Sequence, residues 1–372
     1  MSEPHVPLMR RLQDMRVCVC VGAGGVGKTT AAAALGLGLA RRGRRVAVLT
    51  IDPAKRLASA MGLAELSSEP HRIDPALLAA HGIELQGELS AMTLDVKSTF
   101  DALVQRLAPD RESYERILEN PIYHELSTAV AGSQEYTAMA KLYELTREHD
   151  FDVVVLDTPP SRHALDFLDA PARLVRFIDG RALKIFLAPG GSATRLLGRG
   201  AGLVLALFAR LTGVDLFGEV SAFFASIGEL TEGFAERARG VEELMRDPTT
   251  AFLLLSTPEP EPAREAIFLA EQLAGASLTR TGVVLNRVHP GGLEGLAVED
   301  VRELLAPELG ADLAARAAAN LADFDVLVRR DRESIAHLSA ALEDPDPILV
   351  PHLDVDVQDL AGLAEIERRL FA

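Results

Sequence analysis

The 372-residue sequence predicts an α/β fold, a doubly wound, mainly parallel sheet, and three observations carry that prediction. Short continuous runs of Val, Ile and Leu alternate with helical stretches along the chain. Runs that are apolar on both faces suit strands covered by helices above and below, which is the parallel arrangement. The first run breaks into a glycine-rich loop and turns directly into an alanine-rich helix. The composition, 48% hydrophobic and 25% charged, is that of a globular chain able to bury a large core.

The first strand is read from Val17 to Val21. Cys18 and Cys20, the 2 cysteines of the chain, lie two apart and so point to one buried face, where they cannot pair with each other. They read as small core residues, because a redox pair or a metal site needs Cys-x-x-Cys spacing or further ligands. Then comes Gly22-x-x-x-x-Gly27-Lys28-Thr29, the phosphate-binding P-loop, which makes the predicted sheet one of the P-loop NTPase type. A strand that ends in glycines and feeds a helix aims backbone N–H groups and the positive end of the helix dipole at one point. Gly24, Gly25, Val26, Gly27, Lys28, Thr29 and Thr30 are the expected phosphate-binding residues. Lys28 reaches the terminal phosphates and the Thr29 hydroxyl ligates Mg²⁺.

Further strands are expected over Arg45–Ile51, Phe151–Leu156, Thr250–Leu255 and Thr281–Leu285. Residues 97–149 are mostly helical in pattern, and residues 172–246 form a longer apolar stretch. The chain therefore reads as a single P-loop domain over residues 1–372, with a helical subdomain inserted from 97–149 and 172–246.

Two carboxylates stand at strand tips. Asp52 follows the second strand, where it can orient or deprotonate a water for in-line attack. Asp157 closes Val153-Val154-Val155-Leu156 as a Walker B element and is expected in the Mg²⁺ coordination sphere, through water. Asn286 and Arg287 close the strand at Val283-Val284-Leu285. A side-chain amide there can both donate to and accept from an adenine edge. Guanine-specific relatives use Asn-Lys-x-Asp, and position 289 here is His, so ATP is expected over GTP.

The formal net charge of -16 argues against a general nucleic-acid or anionic-membrane surface, which needs clustered Lys and Arg. Met1–Met15 has no continuous apolar core, so neither a secretory signal nor an anchor is expected there, and the cytoplasm is the expected compartment. The run from Ala201 to Ala209 is too short for a bilayer, which takes about 20 apolar residues. Together with Leu216 to Phe234 it makes a continuous apolar helix face. Either this face packs on its own domain or it is a groove for a hydrophobic protein client, lined by Leu203, Leu207, Phe217, Val220, Phe223, Phe224 and Ile227.

At Gly22-Ala-Gly-Gly-Val-Gly-Lys-Thr-Thr30, Asp52-Pro-Ala54, Gly132-Ser-Gln-Glu135, Asp157-Thr-Pro-Pro-Ser-Arg-His-Ala-Leu165, Thr257-Pro-Glu-Pro260 and Pro351-His-Leu353, the chain resembles the arsenical-pump ATPase family. That family includes the ATPases that target tail-anchored membrane proteins and belongs to the deviant Walker A class. The resemblance implies ATP and Mg²⁺ as ligands, Asp52 in switch I, Asp157 in switch II, and Asn286 and Arg287 framing adenine with Pro351, His352 and Leu353. It also implies a dimer that opens and closes helical subdomains as ATP turns over.

One departure stands out. The deviant Walker A lysine, which crosses to the partner's phosphates, is Ala23 here. Lys55 or Arg56 is expected to supply the missing charge, unless a related subunit contributes it in a heterodimer. The two buried cysteines leave no soft thiolate set for a metalloid. The leading expectation is thus an ATPase that targets or chaperones a hydrophobic protein. A regulatory or scaffold ATPase acting through nucleotide-dependent dimerisation, or the ATPase subunit of an anion transporter, are the alternatives.

Overall fold

The computed structural model describes residues 7–52, 56–120, 123, 133–159, 230–293, 295–353, 357 and 359–372. The chain divides into two compact units, one of residues 1–93, 150–164 and 248–372, the other of residues 94–149 and 165–247.

The first unit is built on an eight-stranded sheet: β1 (Val17–Gly22), β2 (Arg45–Thr50), β3 (His71–Arg72), β4 (Glu88–Thr93), β5 (Val153–Asp157), β6 (Thr250–Ser256), β7 (Arg280–Val288) and β8 (Ile348–Pro351). Their spatial order is β3-β4-β2-β5-β1-β6-β7-β8. All neighbours are parallel except β3 and β4, which are antiparallel. The apolar runs expected to be strands form β1, β2, β5, β6 and β7. β3 and β4 have no continuous apolar run: β4 reads Glu-Leu-Ser-Ala-Met-Thr, in which polar residues interrupt the pattern. β8 does have one, Ile348-Leu349-Val350, but at three residues before Pro351 it is too short to be read as a strand.

β1 is buried along its whole length because it has a parallel neighbour on either edge and helices on both faces. On one face Cys18, Cys20, Val46, Val48, Val153, Val155, Ala251 and Leu253 form a continuous layer. Cys18 and Cys20 are free, buried thiols. Burial pushes the Cys18 thiol up to about 12, so it is an inert core residue at neutral pH. The helices that cover this layer are α2 (Lys28–Arg41) and the C-terminal helix Leu360–Leu370. The alanines and glycines of α2 let it lie close to the strands. A Cβ at Gly36 would collide with Val48 Cγ2 and one at Gly38 with the Phe371 ring.

Besides α2, the first unit contains α1 (Leu8–Leu12), α3 (Arg56–Ala60) and α4 (Pro75–Ala79). The second unit contributes α5 (Val96–Leu107), α6 (Arg111–Leu118), α7 (Ser133–Glu148) and α8 (Thr231–Arg246). The first unit then continues with α9 (Pro260–Gly275), α10 (Val298–Leu309), the 31-residue α11 (Ala311–Ala341) and α12 (Leu360–Leu370).

Within the second unit Asp95 and Asp110 cap α5 and α6 by accepting from Ser98 N and Ser113 N. Its core joins Leu103, Val104, Ile117, Tyr123, Ala140, Phe234 and Ala238, with Phe100 stacked on both Tyr123 and Phe234. The expected client groove, Leu203 to Ile227, lies outside the described residues, as do Pro53 to Lys55 and Pro160 to Leu165. Among the described residues no helix is long and apolar enough to cross a membrane.

Candidate phosphate-binding site

The carboxyl end of β1 is shaped by what glycine permits. A Cβ at Gly22 would run into the Leu255 carbonyl on β6, and one at Gly27 into Nδ2 of Asn286. Gly25 and Gly27 have φ of 78° and 95°, a region that side-chain-bearing residues rarely enter. Gly27 caps α2 without any side-chain hydrogen bond. The first-turn N–H groups of α2 are thus left for a ligand, and the helix dipole favours an anion there.

Lys28 opens α2 and is 6% exposed. Its Nζ donates to the carbonyls of Gly22 at 2.9 Å and Ala23 at 2.8 Å, spanning the loop it follows. Burial pulls its pKa below the usual lysine value, while the charges of Asp157, Glu265 and Asp52 oppose that pull. Among the described residues the ammonium is held by these two backbone carbonyls, in the field of those carboxylates.

Asp157 ends β5 and is 1% exposed. Its Oδ2 accepts from the Thr29 hydroxyl at 2.6 Å and the Thr50 hydroxyl at 2.8 Å. Its Oδ1 is buried and, among the described residues, has no hydrogen-bond partner. Burial raises this carboxyl above the usual range, against the two hydroxyls and Lys28. A buried carboxylate oxygen left unpaired is costly. Paired with a neighbouring hydroxyl, it is a hard oxygen donor set that fits Mg²⁺ beside phosphate. Thr50 was not anticipated from sequence; its one signal is a hydroxyl at the strand tip two residues before Asp52.

Asp52 follows β2, its N–H donating to Thr50 Oγ1 at 3.2 Å. Its carboxylate faces Nη1 of Arg56 at 3.5 Å, and the Arg56 side chain is 70% exposed. Of the two cations expected to replace the signature lysine, Arg56 is thus beside Asp52, while Lys55 lies outside the described residues. Ala23 is buried in the loop.

Asn286 stands on the other side of the P-loop. Its Nδ2 donates to the Val26 carbonyl at 2.9 Å, and its Oδ1 accepts from the Arg287 N–H at 2.9 Å. The amide read from sequence as an adenine contact thus also braces the phosphate loop. Arg287 takes φ of 58° inside the irregularity that shifts the β7–β8 register between Leu285 and Val288. Pro351 closes β8, His352 is exposed beyond it, and Leu353 packs partly against the core. The P-loop, Asp52, Asp157 and Asn286 therefore lie at the carboxyl ends of parallel strands β1, β2, β5 and β7, where ligands of doubly wound folds bind.

A family model described as anion-transporting ATPase matches residues 15–295. The chain is 27% identical over 256 residues to the Aquifex aeolicus protein named arsenical pump-driving ATPase 1, covering 67% of this chain and 57% of that protein. It is 30% identical over 255 residues to an uncharacterized Streptomyces coelicolor protein, covering 68% of this chain and 57% of the other. It is 26% identical over 169 residues to ATPase GET3A of Arabidopsis thaliana, covering 45% and 43%. The chain thus spans about half the length of the curated relatives it matches.

Proposed function

Since the chain belongs to the anion-transporting ATPase family, we propose that it binds ATP with Mg²⁺ at the β1–α2 loop and hydrolyses it to ADP and phosphate. The observation that carries this reading is Asp157, a buried carboxylate with one oxygen shared between the hydroxyls of Thr29 and Thr50 and the other without a partner among the described residues. Gly24 to Thr30 supply the backbone N–H groups and the Lys28 ammonium for the phosphates. Thr29 and Asp157 would hold the ion, which screens charge on the phosphate oxygens when bound.

Asp52, which follows β2 on the Asp157 side of β1, is the residue this reading assigns to the attacking water. It orients the attacking oxygen and accepts its proton as the new O–P bond forms at the γ-phosphorus. The bond from that phosphorus to the bridging oxygen breaks, and its electron pair leaves with ADP. Asn286 and Arg287, with Pro351, His352 and Leu353, form the base subsite in this reading.

The output proposed for the turnover is the handling of a hydrophobic protein segment by a dimer of the chain, with itself or with a related subunit. The apolar sequence from Ala201 to Phe234 and the resemblance to ATPases that target tail-anchored proteins support it.

The test of the chemistry is steady-state hydrolysis with Mg²⁺ by the purified chain and its Asp52→Asn variant. The variant should bind ATP as the parent does and lose ~10²- to 10⁴-fold in kcat, the usual contribution of a positioned acid–base group. Equal turnover by the two proteins would remove Asp52 from the chemistry.

A further inference from the structure

The loop that leaves β7 is fastened to α11 by two buried carboxylates. Asp325, 7% exposed, accepts from Leu293 N at 2.8 Å. Asp331, 1% exposed, accepts with one oxygen from His289 N at 2.9 Å and faces His289 Nδ1 at 2.7 Å. Its other oxygen faces Arg330 Nη2 at 3.0 Å. The His289 ring is also held through its carbons: Phe324, two turns before Asp331 on the same face of α11, meets it edge-on at 5.5 Å. The ring of His352 stacks parallel to it, with centroids 5.6 Å apart and planes 10° apart. His352 N donates to Val288 O at 2.8 Å, so the backbone of the two loops is joined as well. His352 is exposed, and His289 is its backing.

The strand order says what this stack faces. β5 and β2, which carry Asp157 and lead into Asp52, lie on one side of β1, and β6, β7 and β8 lie on the other. A nucleotide whose terminal phosphate sits toward Asp157 and Asp52 must run its nucleoside end toward the tips of β7 and β8. There the Asn286 amide already holds the Val26 carbonyl and the Arg287 N–H, so it has half of its hydrogen-bonding capacity left for a base. An aromatic face is then the larger source of binding, because stacking acts on the whole ring of the base.

We infer that Asp331 and His289 are positioning residues for nucleotide recognition: Asp331 fixes the His289 ring, and that ring holds His352 as the platform on which the base stacks. The inference rests on the reading of the site as an ATP site. It brings the middle of α11, some 40 residues from β7 in sequence, into the base subsite.

Titration calorimetry with MgADP and with MgGDP on the full chain tests it without depending on turnover. His352→Ala and His289→Ala should each weaken MgADP ~10-fold, in line with the loss of one stacked ring, and lower the ratio of ADP to GDP affinity. His289→Phe keeps a ring against His352 and loses the bond to Asp331, so its affinity should fall between those of the parent and His289→Ala. A melting temperature for each variant separates this effect from unfolding. Binding and base preference unchanged in both alanine variants, with the parent binding MgADP, would overturn the positioning role and leave the proposed ATPase standing. A parent that binds neither nucleotide would overturn the reading of the site itself.

Discussion

At the scale of single residues, the phosphate-binding site holds charges that water would hold better. Burial lowers the pKa of Lys28 and raises that of Asp157, so each charged form carries a cost. A carboxyl whose folded pKa is raised binds its proton more tightly when folded. Its contribution to stability is present below the unfolded value and is lost as pH rises through the folded one. Asp157→Asn removes the charge, so the variant should melt higher than the parent at neutral pH, with the gap narrowing toward pH 4. A gap independent of pH would refute this account. The same variant should lose Mg²⁺-dependent turnover, the usual exchange of activity for stability at a site.

Ala23 raises a second question at this scale. Arg56 Nη1 lies 3.5 Å from the Asp52 carboxylate on an exposed side chain, free to turn from carboxylate to phosphate, and a guanidinium suits phosphate geometry. Arg56→Ala should cut kcat by ~10²-fold or more, below the ~10³ to 10⁵ of a full arginine finger. Ala23→Lys in that background should recover part of the loss. Turnover by Arg56→Ala at the parent rate would take Arg56 out of catalysis.

At the scale of elements, what the sequence made legible was what is local. β1, β2, β5, β6 and β7 announce themselves as apolar runs, and the P-loop is contiguous, so strand, loop and helix could all be placed by residue. β4 escaped because its polar residues hide a strand that is defined by pairing with β2 over Glu88 to Thr93, a tertiary effect. The clamp between His289 and Asp331 escaped for the same reason, since no local pattern links residues 42 apart.

Helix α2 gives a test of how packing overrides propensity. Gly→Ala in a helix interior gains ~1 kcal/mol by propensity alone. At Gly36 the added methyl would meet Val48 Cγ2, a β-branched side chain fixed in a buried strand. Gly36→Ala should therefore destabilise the protein by ~1 to 3 kcal/mol, the cost of overpacking a filled core. A denaturant midpoint at or above that of the parent would mean that the strand yields and propensity wins.

At the scale of the whole molecule, the sequence joins a strongly acidic chain to an apolar stretch. A net charge of -16 over 372 residues keeps copies of the chain apart and favours solubility. That repulsion has to be overcome if two copies are to meet. ATP adds further negative charge, and so a dimer closing over nucleotide needs cations at its contact, where the signature lysine is missing at Ala23. Association should then depend on what supplies that charge. The mass of the Asp52→Asn chain in MgATP, measured by light scattering at low and at physiological salt, distinguishes the cases. A dimer in MgATP and a monomer in MgADP would mean that this chain's own residues suffice, and the same dimer should then keep a transmembrane peptide in solution through the Ala201 to Phe234 stretch. A monomer that binds MgATP tightly at both salt concentrations would point to a related subunit carrying the lysine. A dimer that forms in MgATP but leaves the peptide to precipitate would overturn the client role and favour dimerisation itself as the output.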